Sequence, residues 1–97
     1  MVYIDQVHYI TDSHGCRVVG NVKWTNTLSE LATSECTKQQ MIKFISENPN
    51  VTKTKYKRNG YWVAGEDVRV VRNQNGSYLR TDANSKSEDN LGEIIEY

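Results

Sequence analysis

Ninety-seven residues suffice for one small domain, spanning 1–97, with a modest core and little stability to spare. Twelve basic and twelve acidic side chains cancel, which argues against a basic tail or a membrane-surface patch. The charge is unevenly spread. Residues 51–80 carry seven basic and two acidic groups and residues 81–97 one and five, so a basic middle is expected to lie against an acidic tail.

In chain order, Val2–Ile10 is rich in strand formers, but strict alternation leaves neither face clean. Thr11–Gly15 is a turn by composition, and Cys16–Trp24 a second strand in which Gly20 marks a bulge or a close approach. The two strands are expected to form a hairpin, with Trp24 as a core anchor. Residues 25–36 are polar around Leu28, Leu31 and Ala32 and read as a loop with a short helical turn.

The clearest helix covers 38–48. Thr37 and Gln40 form a capping box, Cys36 and Met41 a hydrophobic staple, and Met41, Ile42, Phe44 and Ile45 an apolar stripe. Asn48 closes the helix and Pro49 prevents its continuation. Val51–Tyr56 alternates as a strand whose lysine row, Lys53, Lys55 and Lys57, reads as a solvated face or a guarded edge. Asn59-Gly60 turns it into a second run at 61–64.

Val68–Thr81 is a further hairpin around Asn75-Gly76. A loop spanning Asn73–Gly76 pairs Val70 with Leu79, Val68 with Thr81 and Arg69 with Arg80, which gives one apolar face. Residues 82–90 read as a polar loop closed by Thr81, Asp82, Asp89 and Asn90, and Leu91, Ile94 and Ile95 dock the end of the chain. The expected fold is therefore α+β: one amphipathic helix on a small, mostly antiparallel, twisted sheet of about five or six strands built from hairpins. Its core should include Ile4, Val18, Val22, Trp24, Met41, Ile42, Ile45, Val68, Val70 and Leu79.

Tyr78-Leu79-Arg80-Thr81-Asp82, followed by Asp89-Asn90-Leu91-Gly92, is a distinctive pairing. With the turn near Gly15 and the valine run at 68–71, it resembles a family of small, mostly bacterial proteins known as domain of unknown function 3892. The resemblance covers nearly the whole chain and implies a small stand-alone domain. It brings no activity, ligand or catalytic residue with it. The chain departs from the family in its Thr- and Ser-rich segment at 25–37 and in a tail extended past Leu91.

Candidate chemistry is sparse. Asp12, Ser13 and His14 are triad residue types, but consecutive residues in a turn do not line up as nucleophile, base and orienter. Cys16, Cys36, His8 and His14 lack zinc-site spacing, and Asp82, Asn84, Glu88 and Asp89 lack a calcium loop's spacing. The reading is no enzyme, no metal and no cofactor. Met1–Tyr9 has no signal-peptide pattern and no run is long enough to span a bilayer, so the expected setting is the cytoplasm with free thiols.

Aromatic residues interleave with basic ones along 55–80, including Lys55, Lys57, Arg58 and Arg72. The expected partner-binding face carries Tyr56, Tyr61, Trp62, Arg69, Tyr78 and Arg80. Tyr, Trp and Arg dominate protein interface anchors, and zero net charge favours a protein partner. Single-stranded nucleic acid is the alternative, since aromatic platforms with basic neighbours hold single strands. Small-ligand or metal binding comes after that, and a monomer is the simplest oligomeric state.

Overall fold

The computed structural model describes residues 1–74, 76–81, 89–92 and 94–97. Asn75 of the expected turn, and Asp82, Asn84 and Glu88 of the polar loop, lie outside those residues. The fold is α+β. Its main sheet holds β1 (Val2–Thr11), β2 (Arg17–Thr25), β3 (Ser34–Thr37), β4 (Thr52–Arg58) and β5 (Tyr61–Asp67). They are ordered β3-β2-β1-β4-β5, with a two-residue β8 (Ile95–Glu96) also on β1. A separate pair joins β6 (Arg69–Asn73) to β7 (Gly76–Arg80). Pairing is antiparallel except where β1 meets β4 and β8.

Two bulges explain why β1 and β2 look unsorted by simple alternation. The register of the β1–β2 ladder shifts between Ile4 and Gln6 and again between His8 and Tyr9, skipping Asp5 on β1 and Gly20 on β2. Each extra residue inverts the alternation beyond it. Val2 and Ile4 therefore face the same way as Val7 and Tyr9, and Val22 the same way as Val19. The expected core residue Val18 is corrected by this inversion: it is only half-buried, while Val19 is 2% exposed. Gly20 is also a close approach, since a Cβ there would sit 3.1 Å from an Ile10 methyl.

The helix α1 (Lys38–Glu47) carries the expected capping box. Gln40 N–H donates to Thr37 Oγ1 at 3.2 Å, and Thr37 N–H donates to Gln40 Oε1 at 2.9 Å. Asn48 closes the helix through its backbone and side-chain amides, both donated to the Phe44 carbonyl. The segment just before the helix departs from the expected loop: Ser34–Thr37 pairs with Asn21–Trp24 and forms the edge of the sheet.

Met41 and Ile45 of the helix pack with Ile4, Val7, Val19, Val22, Val68, Leu79 and Leu91 in one buried cluster. Trp24, Ile42 and Val70 are half-buried against it. The β6–β7 hairpin has the expected register, Val70 opposite Leu79 and Arg69 opposite Arg80, and its ladder reaches Asn73 opposite Gly76. Val68 does not pair with Thr81. Its N–H donates to the Thr52 carbonyl at 2.9 Å, which hitches the small hairpin to the main sheet.

Of the residues expected to dock the end of the chain, Leu91 is buried and Ile94 half-buried, whereas Ile95 is exposed on the two-residue β8. Asp89 Oδ2 accepts the Val19 amide at 2.7 Å and Oδ1 the Leu79 amide at 2.8 Å, and Lys38 Nζ stands 2.8 Å from Oδ2. One buried carboxylate thus joins β2, β7 and the start of the helix. Asn90 bridges Arg80 in parallel, its side chain accepts the Gly92 amide, and Thr81 N–H donates to the Asn90 carbonyl. Asp82, the remaining member of this expected set, lies outside the described residues.

Candidate binding surface

The β4–β5 hairpin turns tightly at Asn59 and Gly60, both at positive φ, 53° and 81°. Arg58 then faces Tyr61, Lys57 faces Trp62 and Tyr56 faces Val63. Side chains alternate along each strand, so Tyr56, Arg58 and Tyr61 emerge on the helix-bearing face of the sheet. Lys55, Lys57 and Trp62 emerge on the other. Tyr61 is 76% exposed, the most open of the large apolar side chains described.

The lysine row of β4 is not a solvated face. Lys55 is fully buried, and its ammonium donates to the carbonyls of Thr27 at 2.9 Å, Leu28 at 3.1 Å and Glu30. The Asp5 carboxylate stands 3.9 Å away, and Asp5 also accepts the Ala32 amide at 2.8 Å. The segment between β2 and β3 is therefore folded over this face and held by one ammonium. Burial pushes the Lys55 ammonium below the usual lysine value, while the Asp5 and Glu30 carboxylates pull it back up. Lys53 pairs with Asp67 at 3.2 Å, which leaves Lys57 as the exposed member of the row.

The six expected binding residues are not on one face. Tyr56 and Tyr61 share the helix-bearing face of the hairpin tip. Trp62 lies across the sheet, where its ring covers the Lys55 and Lys57 ammonium groups at 4.2 and 5.2 Å. Arg69, Tyr78 and Arg80 belong to the other sheet. Arg80 is 2% exposed and engaged within the fold, and Tyr78 is half-buried under the Lys38 ammonium. Arg69 alone of these three is exposed, beside the end of the helix. The basic groups that do accompany the exposed aromatics are Lys57 and Arg58. A two-residue turn makes them neighbours of Tyr61 and Trp62, a signal that Asn59-Gly60 already carries.

A cleft of about 330 Å³ runs from this hairpin to the C-terminal segment, lined by Tyr56, Arg58, Gly65, Glu66, Thr81 and Gly92 among others. It opens where β4 leaves β1 after Thr54 and β8 takes over β1's edge at Gln6 and Val7. Beyond β5, the main sheet has no further strand among the described residues.

Of the triad-type residues, Asp12 has structural partners. Asp12 accepts the amides of Cys16 and His14 and so builds the β1–β2 turn, and those bonds, that to Cys16 foremost, hold its carboxyl below the usual range. His8 Nδ1 contacts the Tyr97 carbonyl. Cys16 is exposed and Cys36 half-buried, and burial raises the Cys36 thiol. No group of three metal-ligating side chains gathers among the described residues.

The pairing of Tyr78–Thr81 with Asp89–Gly92, now seen as β7 bonded to the Asp89 carboxylate and bridged by Asn90, lies within a wider family match covering residues 17–94. The chain belongs to the DUF3892 family. That family is described as proteins of unknown function. No curated protein and no solved structure shows significant similarity to the chain. The match takes in the helix, the β4–β5 hairpin and the Asp89 junction, so the surface described above sits on the family's own framework.

Proposed function

We propose that this DUF3892 domain binds another macromolecule, a protein, through the tip of its β4–β5 hairpin. The observation that carries the reading is Tyr61, 76% exposed between Arg58 and Trp62 on a turn that fixes its position. An exposed aromatic on a rigid strand is costly to leave in water and loses little side-chain entropy on binding, which is why such residues anchor interfaces. Lys57 and Arg58 give the tip a positive rim suited to acidic groups on the partner.

Single-stranded nucleic acid is disfavoured by the use already made of the rings. Arg58 lies over Tyr56 at 5.5 Å, and Lys55 and Lys57 lie over Trp62. A base stacking on the cation-covered face of either ring must displace that cation, and the burial of Arg80 removes one of the phosphate contacts that composition suggested. The role we propose is binding and not catalysis, in keeping with the Asp12 carboxylate being committed to the β1–β2 turn. The cytoplasm is the setting we propose, where both cysteines stay as thiols.

A photo-reactive aromatic placed at Tyr61, with the same probe at half-buried Tyr78 as control, tests the reading. A discrete protein adduct at position 61, lost when Lys57 and Arg58 become Glu, is the expected result. An adduct with nucleic acid that fades as salt rises overturns the protein reading.

A further inference from the structure

We propose that the open edge of β5 is a self-pairing site, joining a second copy of this chain antiparallel about a two-fold axis at Val63. The inference rests on the protein-binding reading of the hairpin and names its partner. It departs from the monomer taken above as the simplest oligomeric state.

The turn geometry decides which backbone groups are free. Across a two-residue turn the flanking pair, Arg58 and Tyr61, exchanges both its hydrogen bonds, and bonded and non-bonded pairs then alternate. Tyr61 and Val63 therefore bond inward to β4. Trp62 and Ala64 point their N–H and C=O groups outward, to the side with no strand among the described residues. No Pro, Lys or other charge guards residues 61–65, although such guards are the usual protection of an edge. The register shift between Lys53 and Lys55 places a bulge at Gly65 and Glu66, which ends the regular edge there.

An antiparallel copy can meet this edge only with outward groups opposite outward groups. Centred on Val63, Trp62 exchanges hydrogen bonds with Ala64 of the second copy, and Ala64 with its Trp62. That gives four backbone bonds. Side chains then match by size: Trp62 beside exposed Ala64 on one face, Tyr61 beside Gly65 on the other, and Val63 beside Val63 on the axis. Gly65 is small for an internal reason, since a Cβ there would lie 2.4 Å from Thr54 Oγ1. The Tyr56 ring of the same chain also approaches that position, at 3.5 Å, so Tyr61 of the second copy comes to lie beside Tyr56.

Charge follows the same symmetry. Gly60 comes opposite the exposed Glu66 of the second copy, so the basic tip, Lys57 and Arg58, approaches an acidic strand end. Centring on Ala64 instead sets Trp62 against Glu66 and Val63 against Gly65, which buries less and loses the size match. A strand that is large in its first half and small in its second is complementary to itself only when antiparallel. This singles out a second copy among possible strand partners.

Sedimentation equilibrium of the full chain over a concentration series tests the proposal. The expected result is a monomer–dimer equilibrium, weakened about tenfold or more by Ala64→Lys, which puts a long charged side chain where the small Ala64 seats the second copy's Trp62. Circular dichroism checks that the exposed substitution leaves the fold intact. Independently, Val63→Cys in a Cys16→Ser background should form an intermolecular disulfide between the two introduced thiols, identified by peptide mapping. The two Val63 positions form a non-bonded antiparallel pair, with Cα atoms about 4.5 Å apart. Tyr61→Cys, off the axis, should not cross-link.

A monomer at every concentration with no Val63→Cys cross-link overturns the proposal. So does a dimer that is indifferent to Ala64→Lys. If self-association is absent while the Tyr61 probe still labels a different protein, the self-pairing fails and the binding reading stands. If neither occurs, both fail.

Discussion

Lys55 and Asp89 are both buried ions of this small domain, one on each side of the main sheet. Lys55 has an acidic partner only at 3.9 Å and donates its main bonds to three backbone carbonyls. Asp89 has a basic partner at 2.8 Å and accepts two backbone amides. Each therefore satisfies main-chain groups that no ladder satisfies. They differ in reach. Lys55 holds one local segment, 27–32, down on the sheet, whereas Asp89 joins β2 to β7, which are far apart in sequence, and adds the first residue of the helix. A buried charge is a poor source of net stability, but it is costly to orphan, so both positions tie conformation to a single side chain.

The sharpest way to break the comparison is to remove the ions in turn. Lys55→Ala should cost about 3–5 kcal/mol, because it leaves Asp5 and three carbonyls buried without their cation. In urea unfolding followed by hydrogen exchange, the Ala32 amide should lose protection while Leu79 keeps it. Lys55→Met with Asp5→Leu should recover little of the loss, since the Thr27, Leu28 and Glu30 carbonyls and the Ala32 amide are still left without partners. Equal exchange at both amides in Lys55→Ala would mean the segment over Lys55 is not a separate local unit.

Asp89→Ala comes next, at about 3 kcal/mol, as Lys38 is near the surface and can turn to solvent while the Val19 and Leu79 amides cannot. Here Leu79 and Val19 should lose protection together, the mark of a carboxylate that joins two sheets. Asp89→Asn keeps one carbonyl acceptor and should fall between Asp89→Ala and the wild type. An unchanged midpoint for Asp89→Ala would mean that the carboxylate does not hold the two sheets together.

How far these features are legible in the sequence depends on their range. The capped helix and the β6–β7 register can be read because Thr37–Gln40 and Val70–Leu79 are decided by local chemistry. Asp89 is legible as a structural residue, since Asp beside Asn in a polar stretch is a backbone-binding type, although its partners are not. Lys55 is misread as solvated because nothing local says that residues 27–32 fold over it. The binding face is misread for a related reason. Tyr56 and Trp62 belong to one hairpin yet emerge on opposite faces, and Arg80 belongs to another sheet. The bulge at Gly20 is signalled by the glycine, but the one at Asp5 carries no local mark, and together they exchange the faces that alternation assigns. Val19→Ala should accordingly cost about 2 kcal/mol and Val18→Ala well under half of that. Equal losses in thermal melts would put Val18 back in the core.

Below these comes the helix cap. Thr37→Ala removes one hydroxyl acceptor from the Gln40 amide and should cost about 1 kcal/mol. Because Lys38, the next residue, holds Asp89, a frayed cap should also quicken exchange at Leu79. A loss confined to the helix would show that the cap and the carboxylate junction are energetically separate.

The smallest effect belongs to Asp12, an exposed counterpart of Asp89 that performs the same task in water. It too accepts two amides, from His14 at 2.8 Å and Cys16 at 2.9 Å, and these hold its carboxyl below the ordinary 3.8. A carboxylate held low in the folded state contributes stability above its unfolded value, and loses it as pH falls through the folded value. Asp12→Asn can still accept both amides but carries no charge. The stability gap between wild type and Asp12→Asn should therefore be constant from neutral pH to about pH 4.5 and close below about pH 3.8, as urea midpoints at several pH values will show. Water screens this carboxylate, so the gap should be far smaller than the loss from Asp89→Ala, although each accepts two amides. A gap that persists unchanged at about pH 2 would mean that shape, and not charge, is what Asp12 gives the turn. The difference between the two carboxylates would then lie in what they connect and not in how deeply they are buried.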